Sequence, residues 1–445
     1  MPKIFLHIVL GAFALVVVTS CATYYDKTRS TERALVVGNY DDAKKKILDN
    51  KYLNKKRNSL LFNLEMGKVC HLKGEFEESN VYFNKADLLM EEYHNVFEMA
   101  VGVTVNPSLQ PYRAEYHEQI MVHYYKSLNY LQLGNIEDAL VEVRRLNLKE
   151  GALNTSTKGK EKKYSQDPFG LLLMGMIYEA SGDNNNAFIA YRNAKQIYET
   201  DQTGLYKNNV PVSLEQDLLR TARRTGIYYE SAEKYDANYA KNGELILFYE
   251  TGLSPIKAEQ NYFFNLRENN DGFFFESDDL NVPVDYDFNA NNENFNPNDL
   301  GMIRVAFPYY VMRECMTNGA TIKVNGNQKK LQVAQDISAL AFQIEKDNFF
   351  KNLGKDLLRV TLKKIAELAI AKQNEYMGAA LNVANMISEK ADTRNWQTLP
   401  GQIQFVRIPL QKGANEISIS TGTGKAQNFI VEGNGTMVFK NICEF

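Results

Sequence analysis

Cysteine, tryptophan and histidine are all scarce in this 445-residue chain, which holds four, one and five of them. Cys21, Cys70, Cys315 and Cys443 lie too far apart to form a zinc motif or a disulfide framework, and any pairing among the last three stays open. His7, His71, His94, His117 and His123 make no HExxH and no Cys/His ligand cluster. His117 and His123 are six apart, on opposite faces of a helix. The chain also lacks a GxSxG elbow and a glycine-rich phosphate loop. With 51 basic and 54 acidic residues and a net charge of −3, it has no basic surplus to draw a nucleic acid. These absences predict no enzyme, no cofactor, no metal and no small-molecule substrate. Long apolar runs are missing too, with one exception. Ile4 to Val18 follows Lys3 and falls short of the roughly 20 residues that cross a bilayer as a helix.

That run ends in Thr19, Ser20 and Cys21. A basic residue, a short apolar stretch and small residues before a break are the parts of a secretory signal. With cysteine directly after them, the stretch resembles the lipobox of bacterial lipoproteins. The resemblance implies that residues 1–20 are a signal peptide and that Cys21 becomes the first residue of the mature chain, carrying lipid. Three acyl chains exceed the two signals that stable membrane anchoring takes. Ala22, rather than Asp, implies transfer to the outer membrane; the periplasmic face is the expected one.

Three windows align on the glycine of a turn between helices: "LFNLEMGKVCHLKGEFEESNVYFNKA", "HYYKSLNYLQLGNIEDALVEVRRL" and "LLLMGMIYEASGDNNNAFIAYRNA". The anchors are Gly74, Gly134 and Gly182. Seven residues before them stand the small Gly67, Ser127 and Gly175; five after stand Ser79, Ala139 and Ala187; nine after stand Phe83, Val143 and Tyr191. Small positions let helices approach, and the large ones fill the space beside them. This is the pattern of tetratricopeptide repeats, and "ALVVGNYDDAKKKIL" adds a partial copy at Gly38. The anchor spacing departs from a period of about 34, so inserts must separate the repeats. Residues 149–170 read as an exposed loop. Residues 97–116, with Val101, Val103, Val105 and Leu109, are apolar enough to cover part of the groove of the array.

After residue 230 the period changes. Leu245 to Tyr249 reads as a buried strand, as do "MIRVAFPYYV" and "ATIKVNG"; residues 336–390 read as helix, and four short strands close the chain. The acidic, Asn-rich stretch 276–301 offers Asp285, Asp287 and Asn289 at calcium-loop spacing. It has Ala290 where glycine is needed and Asn296 where a bidentate Glu is needed, and so reads as a solvated loop. The expected fold is mainly α: a tetratricopeptide-like array over 21–235, then a smaller α+β domain over 236–445 with antiparallel strands.

Four blocks, "PYRAEYHEQIMVHYYKSLNYLQLGNIEDALVEVRRLN", "DPFGLLLMGMIYEASGDNNNAFIAYRNA", "GELILFYETGLSPIKAEQ" and "ADTRNWQTLPGQIQFVRIPLQKG", resemble a family of uncharacterised bacterial lipoproteins with tetratricopeptide repeats. The likeness spans most of the mature chain and departs at Ala114, where Gly is expected. The family has no established activity. Association with genes for lipoproteins resembling peptidoglycan-synthase activators implies a role in the envelope.

In such an array the first helix of each pair lines the concave surface. Lys68, His71, Tyr124, Leu128, Met176 and Glu179 are therefore the candidate partner-binding residues, although Leu128 and Met176 also suit a core. Trp396 and Arg394, in "DTRNWQTLP", read equally as binding anchors and as a packed corner. The function expected is a lipid-anchored periplasmic scaffold that binds another envelope protein. A structural spacer without one specific partner is the alternative, and a hydrolase of unknown type a remote one.

Overall fold

The computed structural model describes residues 23–99, 106–155, 167–201, 204–206, 210–236, 238–269, 272–280, 284–285, 300–314, 320–373, 389–420 and 426–445. Its N-terminal half is a stack of helical hairpins: α1 (Tyr24–Val36) with α2 (Tyr40–Leu48), α3 (Ser59–Lys73) with α4 (Phe76–Met99), α5 (Tyr116–Gln132) with α6 (Ile136–Thr155), and α7 (Pro168–Ala180) with α8 (Asn184–Thr200). A further helix, α9 (Ser213–Thr225), packs on α8. Thr23 opens α1 through a capping box with Asp26, which satisfies amide groups that a first turn otherwise leaves unpaired.

The repeat alignment holds at the level of atoms. Gly38, Gly74, Gly134 and Gly182 all take positive φ, between 76° and 84°, a conformation that glycine adopts without steric cost. A Cβ at Gly67 would lie 2.6 Å from the Phe83 ring, and one at Gly175 would lie 2.4 Å from the Tyr191 ring. In these two hairpins the small position on the first helix is thus filled by the large one nine residues past the turn. Ser127 and Val143, the corresponding pair in the middle repeat, are fully buried.

Among the described residues the second half forms three four-stranded sheets. The central one has the order β12 (Met437–Glu444), β1 (Glu244–Leu253), β9 (Pro400–Pro409), β8 (Gln332–Asp336). Strand alternation gives it two buried faces. Ile246 and Phe248 of β1, with Ile403 and Phe405 of β9 and Phe439 of β12, enter the core of the helical array. Leu245, Leu247, Val406 and Ile408 face the opposite way, onto a second sheet of order β11 (Ala426–Gly433), β10 (Gly413–Ser420), β6 (Thr321–Val324), β7 (Asn327–Lys329). The layers are therefore helices, sheet and sheet. A third sheet, β4 (Val284–Asp285), β3 (Gly272–Glu276), β2 (Ile256–Asn269), β5 (Met302–Val311), packs Phe264, Val305 and Phe307 against Leu353 and Leu357 of the long helix α10 (Ile337–Gln373).

Three expectations change. The central sheet is mixed rather than antiparallel, because β1 and β12 run parallel, Glu244 beside Met437 through Thr251 beside Glu444. The first residues of the expected loop at 149–170 continue α6 to Thr155, and Asp167 caps α7 by accepting from the Phe169 amide; residues 156–166 lie outside the described ones. Of the 97–116 insert, residues 106–116 are described beyond the end of α4, and Leu109 is exposed. Cys21, Val101, Val103, Val105, Cys315, Asp287 and Asn289 lie outside the described residues. Among the described residues no helix is long and apolar enough to cross a membrane.

Candidate functional site

The array's candidate binding residues lie on the first helices of successive hairpins, along the face that meets the central sheet. That face is not open. Lys68, His71, Tyr124, Leu128, Met176 and Glu179 are all buried, because the apolar face of the central sheet must itself leave water and closes over them. Their partners belong to the same chain.

Two rows of polar contacts join array to sheet. In the first, the Lys68 ammonium donates to Glu250 at 2.5 Å and to the Tyr125 hydroxyl at 2.7 Å, and Tyr125 donates to Glu250 at 2.8 Å. Asn441 of β12 donates to the other Glu250 oxygen at 2.9 Å, and its own amide oxygen lies 3.1 Å from His71 Nε2. Burial pushes the Glu250 carboxyl up, but the Lys68 ammonium and His71 outweigh it and hold the group below its ordinary value. Cys443 Sγ lies 3.4 Å from Glu250 and 3.7 Å from Lys68; burial raises this thiol well above its usual range, which keeps it neutral and a poor nucleophile.

In the second row Glu179 accepts from Arg220 of α9, through both Nε and Nη2 at 2.7 Å, and from Arg407 of β9 at 2.9 Å. Arg407 reaches on to Glu244 at 2.5 Å and Asp217 at 3.0 Å. Burial opposes the Glu179 charge, and the Arg407 and Arg220 guanidiniums overcome it, lowering the carboxyl. The sheet's array-facing row on β1 is thus Glu244, Ile246, Phe248, Glu250: two apolar residues bounded by two acids, each meeting a cation.

The remaining space holds a segment outside any helix or strand, residues 391–399, which ends in a turn and is nearly all buried. Thr393 accepts from the Tyr24 amide at 3.1 Å, and Gln397 accepts from Thr28 at 3.0 Å. Arg394 donates to Asn58 at 2.9 Å and to the Pro107 carbonyl at 2.9 Å, while Asp392 neutralises it at 2.6 Å. The Trp396 amide donates to Glu118 at 2.6 Å, and the fully buried indole packs against Phe83 and Tyr125, themselves stacked on each other, with ring centroids 5.8 and 6.0 Å away. Thr398 donates to Glu65 at 2.6 Å. Burial pushes both Glu65 and Glu118 up to about 7.

This segment was the part that sequence reasoning missed as an occupant. Its signal was present: Arg, Asn, Trp, Gln and Thr in a run without helical or strand period, bounded by Pro400. The 97–116 insert was expected over the groove, and its described part does touch the occupant, through Pro107 and through Asn106, which donates to the Lys390 carbonyl at 3.1 Å. His117 is buried and lowered to about 4 by that burial. His123 sits 2.8 Å from Glu142, beside Lys126, which lies 2.9 Å from the same carboxylate. Cys70 and Cys443 are free thiols.

No family model matches the sequence, and no curated protein matches it. Among solved structures the chain is similar to "Crystal structure of MamA" and "Crystal structure of MamA protein", each at 16% identity and a TM-score of 0.30, covering 46% and 47% of this chain and 89% and 85% of those. It is also similar to NprR in complex with its cognate peptide NprX, at 18% identity and a TM-score of 0.20, covering 47% of this chain and 64% of that one. Likeness at these scores carries no argument about fold or activity. The repeat assignment stands on the glycine turns and the Gly67–Phe83 and Gly175–Tyr191 contacts.

Proposed function

We propose that this chain is an interaction scaffold of the bacterial cell envelope. Lipid on Cys21 holds it to the outer membrane on the periplasmic side, where it binds another envelope protein and contributes to peptidoglycan synthesis or envelope assembly. The stack of helical hairpins carries the scaffold part of this reading, and the filled groove moves the partner to its outer faces. Arrays of this architecture use their inner face for extended partners, and here that face is taken by the chain's own residues 391–399 and central sheet. A second protein therefore meets the outer faces of a body whose two halves are already joined by buried ion pairs. The lipid anchor rests on the lipobox resemblance, and the envelope role on the family resemblance.

A spacer without one specific partner is the second reading, and the closed groove favours it as well. Crosslinking in cells followed by affinity purification, with the anchor intact, separates the two. One dominant partner supports the scaffold; a broad set of envelope proteins supports the spacer. The anchor has its own test. Metabolic labelling with a fatty acid should mark the wild type and not Cys21→Ser, and equal labelling of both rejects it.

A further inference from the structure

The charge of the chain is unevenly placed. Between Tyr24 and Arg57 stand ten Lys and Arg against five Asp and Glu, in a protein whose net charge is −3. Most of these cations are at the surface: Lys27, Arg29, Arg33, Lys45, Lys51, Lys55 and Lys56 are exposed. Folding brings several of them to one place. Lys27 of α1, Lys45 and Lys46 of α2 and Lys51 of the turn after it line an open cleft of about 580 Å³, with Asp42 and Asp49 as the acids on its wall. Asp42 is engaged by Lys46. The turn is held to α1 by Asn50, which donates to the Lys27 carbonyl at 2.9 Å. Tyr52 lies at the same cleft, with the Lys27 ammonium 4.2 Å and the Lys55 ammonium 5.7 Å from its ring centroid.

We infer that this face of α1, α2 and the following turn is a docking surface for anionic phospholipid headgroups, on the same membrane that carries the chain. Its orientation rests on the lipid anchor proposed at Cys21; the surface itself does not. Two residues, Ala22 and Thr23, separate Cys21 from Tyr24, a covalent reach of about 11 Å at most, and Lys27 is one helical turn further. That reach lets an anchored chain bring its basic cleft to headgroup level, where charge acts over roughly 10 Å at moderate salt. Lysines attract anionic lipid one by one, at about fivefold in affinity each. A tyrosine flanked by two ammonium groups suits the same interface, with an apolar ring and a polar tip. The surface gives the anchor a preferred tilt, laying α1 and α2 along the membrane and pointing the rest of the array away.

The test uses the chain from residue 21 onward with Cys21→Ser, so that no lipid contributes, and vesicles of phosphatidylglycerol in phosphatidylcholine against phosphatidylcholine alone. The protein should sediment with the anionic vesicles and not the neutral ones, and should release as salt is raised. Lys45→Ala, Lys51→Ala and Lys55→Ala together should weaken binding about 100-fold, and Lys51→Ala alone about fivefold. A control triple outside the cleft, Lys323→Ala, Lys329→Ala and Lys412→Ala, removes the same charge and should change binding by no more than about twofold. Equal binding to neutral vesicles, or equal loss from the control triple, overturns the proposal. Fatty-acid labelling reports separately on Cys21. Labelling with no vesicle binding rejects the basic surface alone, whereas vesicle binding without labelling rejects the anchor and leaves the surface standing.

Discussion

Lys68 and Glu250, 182 residues apart in sequence, meet at 2.5 Å with both side chains fully shielded from water. The pair joins the second helical hairpin to the first strand of the central sheet. Removing one member of such a pair leaves a buried charge without its partner and costs about 3–5 kcal/mol. Lys68→Met and Glu250→Gln should each destabilise by that order in denaturant unfolding, and the double variant should lose much less than their sum. Additivity within about 0.5 kcal/mol would mean that the two do not meet.

The same burial decides what groove substitutions do. Tyr124, Lys68 and Glu179 would be nearly silent on a solvent-facing surface, where changes stay within about 0.5 kcal/mol. Enclosed as they are, each Ala variant should lower the melting midpoint by several degrees. Unchanged midpoints would place them back on an open face.

Gly175 and Gly354 give a paired test of the repeat packing. A Cβ at Gly175 collides with the Tyr191 ring, while one at Gly354 meets nothing within 4 Å. Gly175→Ala should cost about 1–3 kcal/mol through overpacking. Gly354→Ala, on the helix α10, should be neutral or gain up to about 1 kcal/mol through helix propensity. Equal effects would reject the contact.

Trp396 fixes the inserted segment. Trp396→Ala should cost about 3–5 kcal/mol and let the segment open, so that trypsin cuts after Arg394 before global unfolding. If wild type and variant are cut there at the same rate, the segment is not held by its indole.

Glu65 and Glu118 set a pH dependence with a definite sign. Their folded values near 7 lie above the ordinary carboxyl value of 4.5, so the folded state binds the extra protons. Their contribution is complete below about pH 4.5 and is lost as pH rises through 7. His117 acts the other way, since its lowered value favours the folded chain above the ordinary imidazole value of 6.5 and loses that as pH falls toward 4. Comparison with Glu65→Gln isolates the carboxyl: the difference in stability between wild type and variant should shift in the variant's favour by roughly 1.4 kcal/mol per pH unit between 4.5 and 7. A difference that does not vary with pH would show that Glu65 stays ionised in the fold.

Much of this fold is legible locally, and the groove is where local reading ends. Turn glycines and the small-to-large pairs nine residues past them are set by contacts within one hairpin, so the repeats can be read from spacing. The strand over Leu245–Tyr249 is equally plain. Its next residue carried the missing information: Glu250 shares a face with Ile246 and Phe248, and an acid on a buried strand requires a buried cation. Arg407 poses the same demand on β9. Which cations answer, and that residues 391–399 fill the space between, depends on contacts across the whole chain that no window contains. Lys68, His71, Tyr124 and Glu179, which helical register offers to a partner, meet the chain's own sheet instead.

The pairing of β1 with β12 sets an order of events for the nascent chain. The strand that begins the central sheet has one of its two neighbours in the last strand to emerge, so until residues 437–444 arrive Ile246 and Phe248 cannot be enclosed by a complete sheet, and the helices made first wait with an uncovered inner surface. Long-range pairing of this kind is slow to form. A chain clipped before residue 437 would carry the cost as an exposed edge of β1, which a protease or chaperone can recognise.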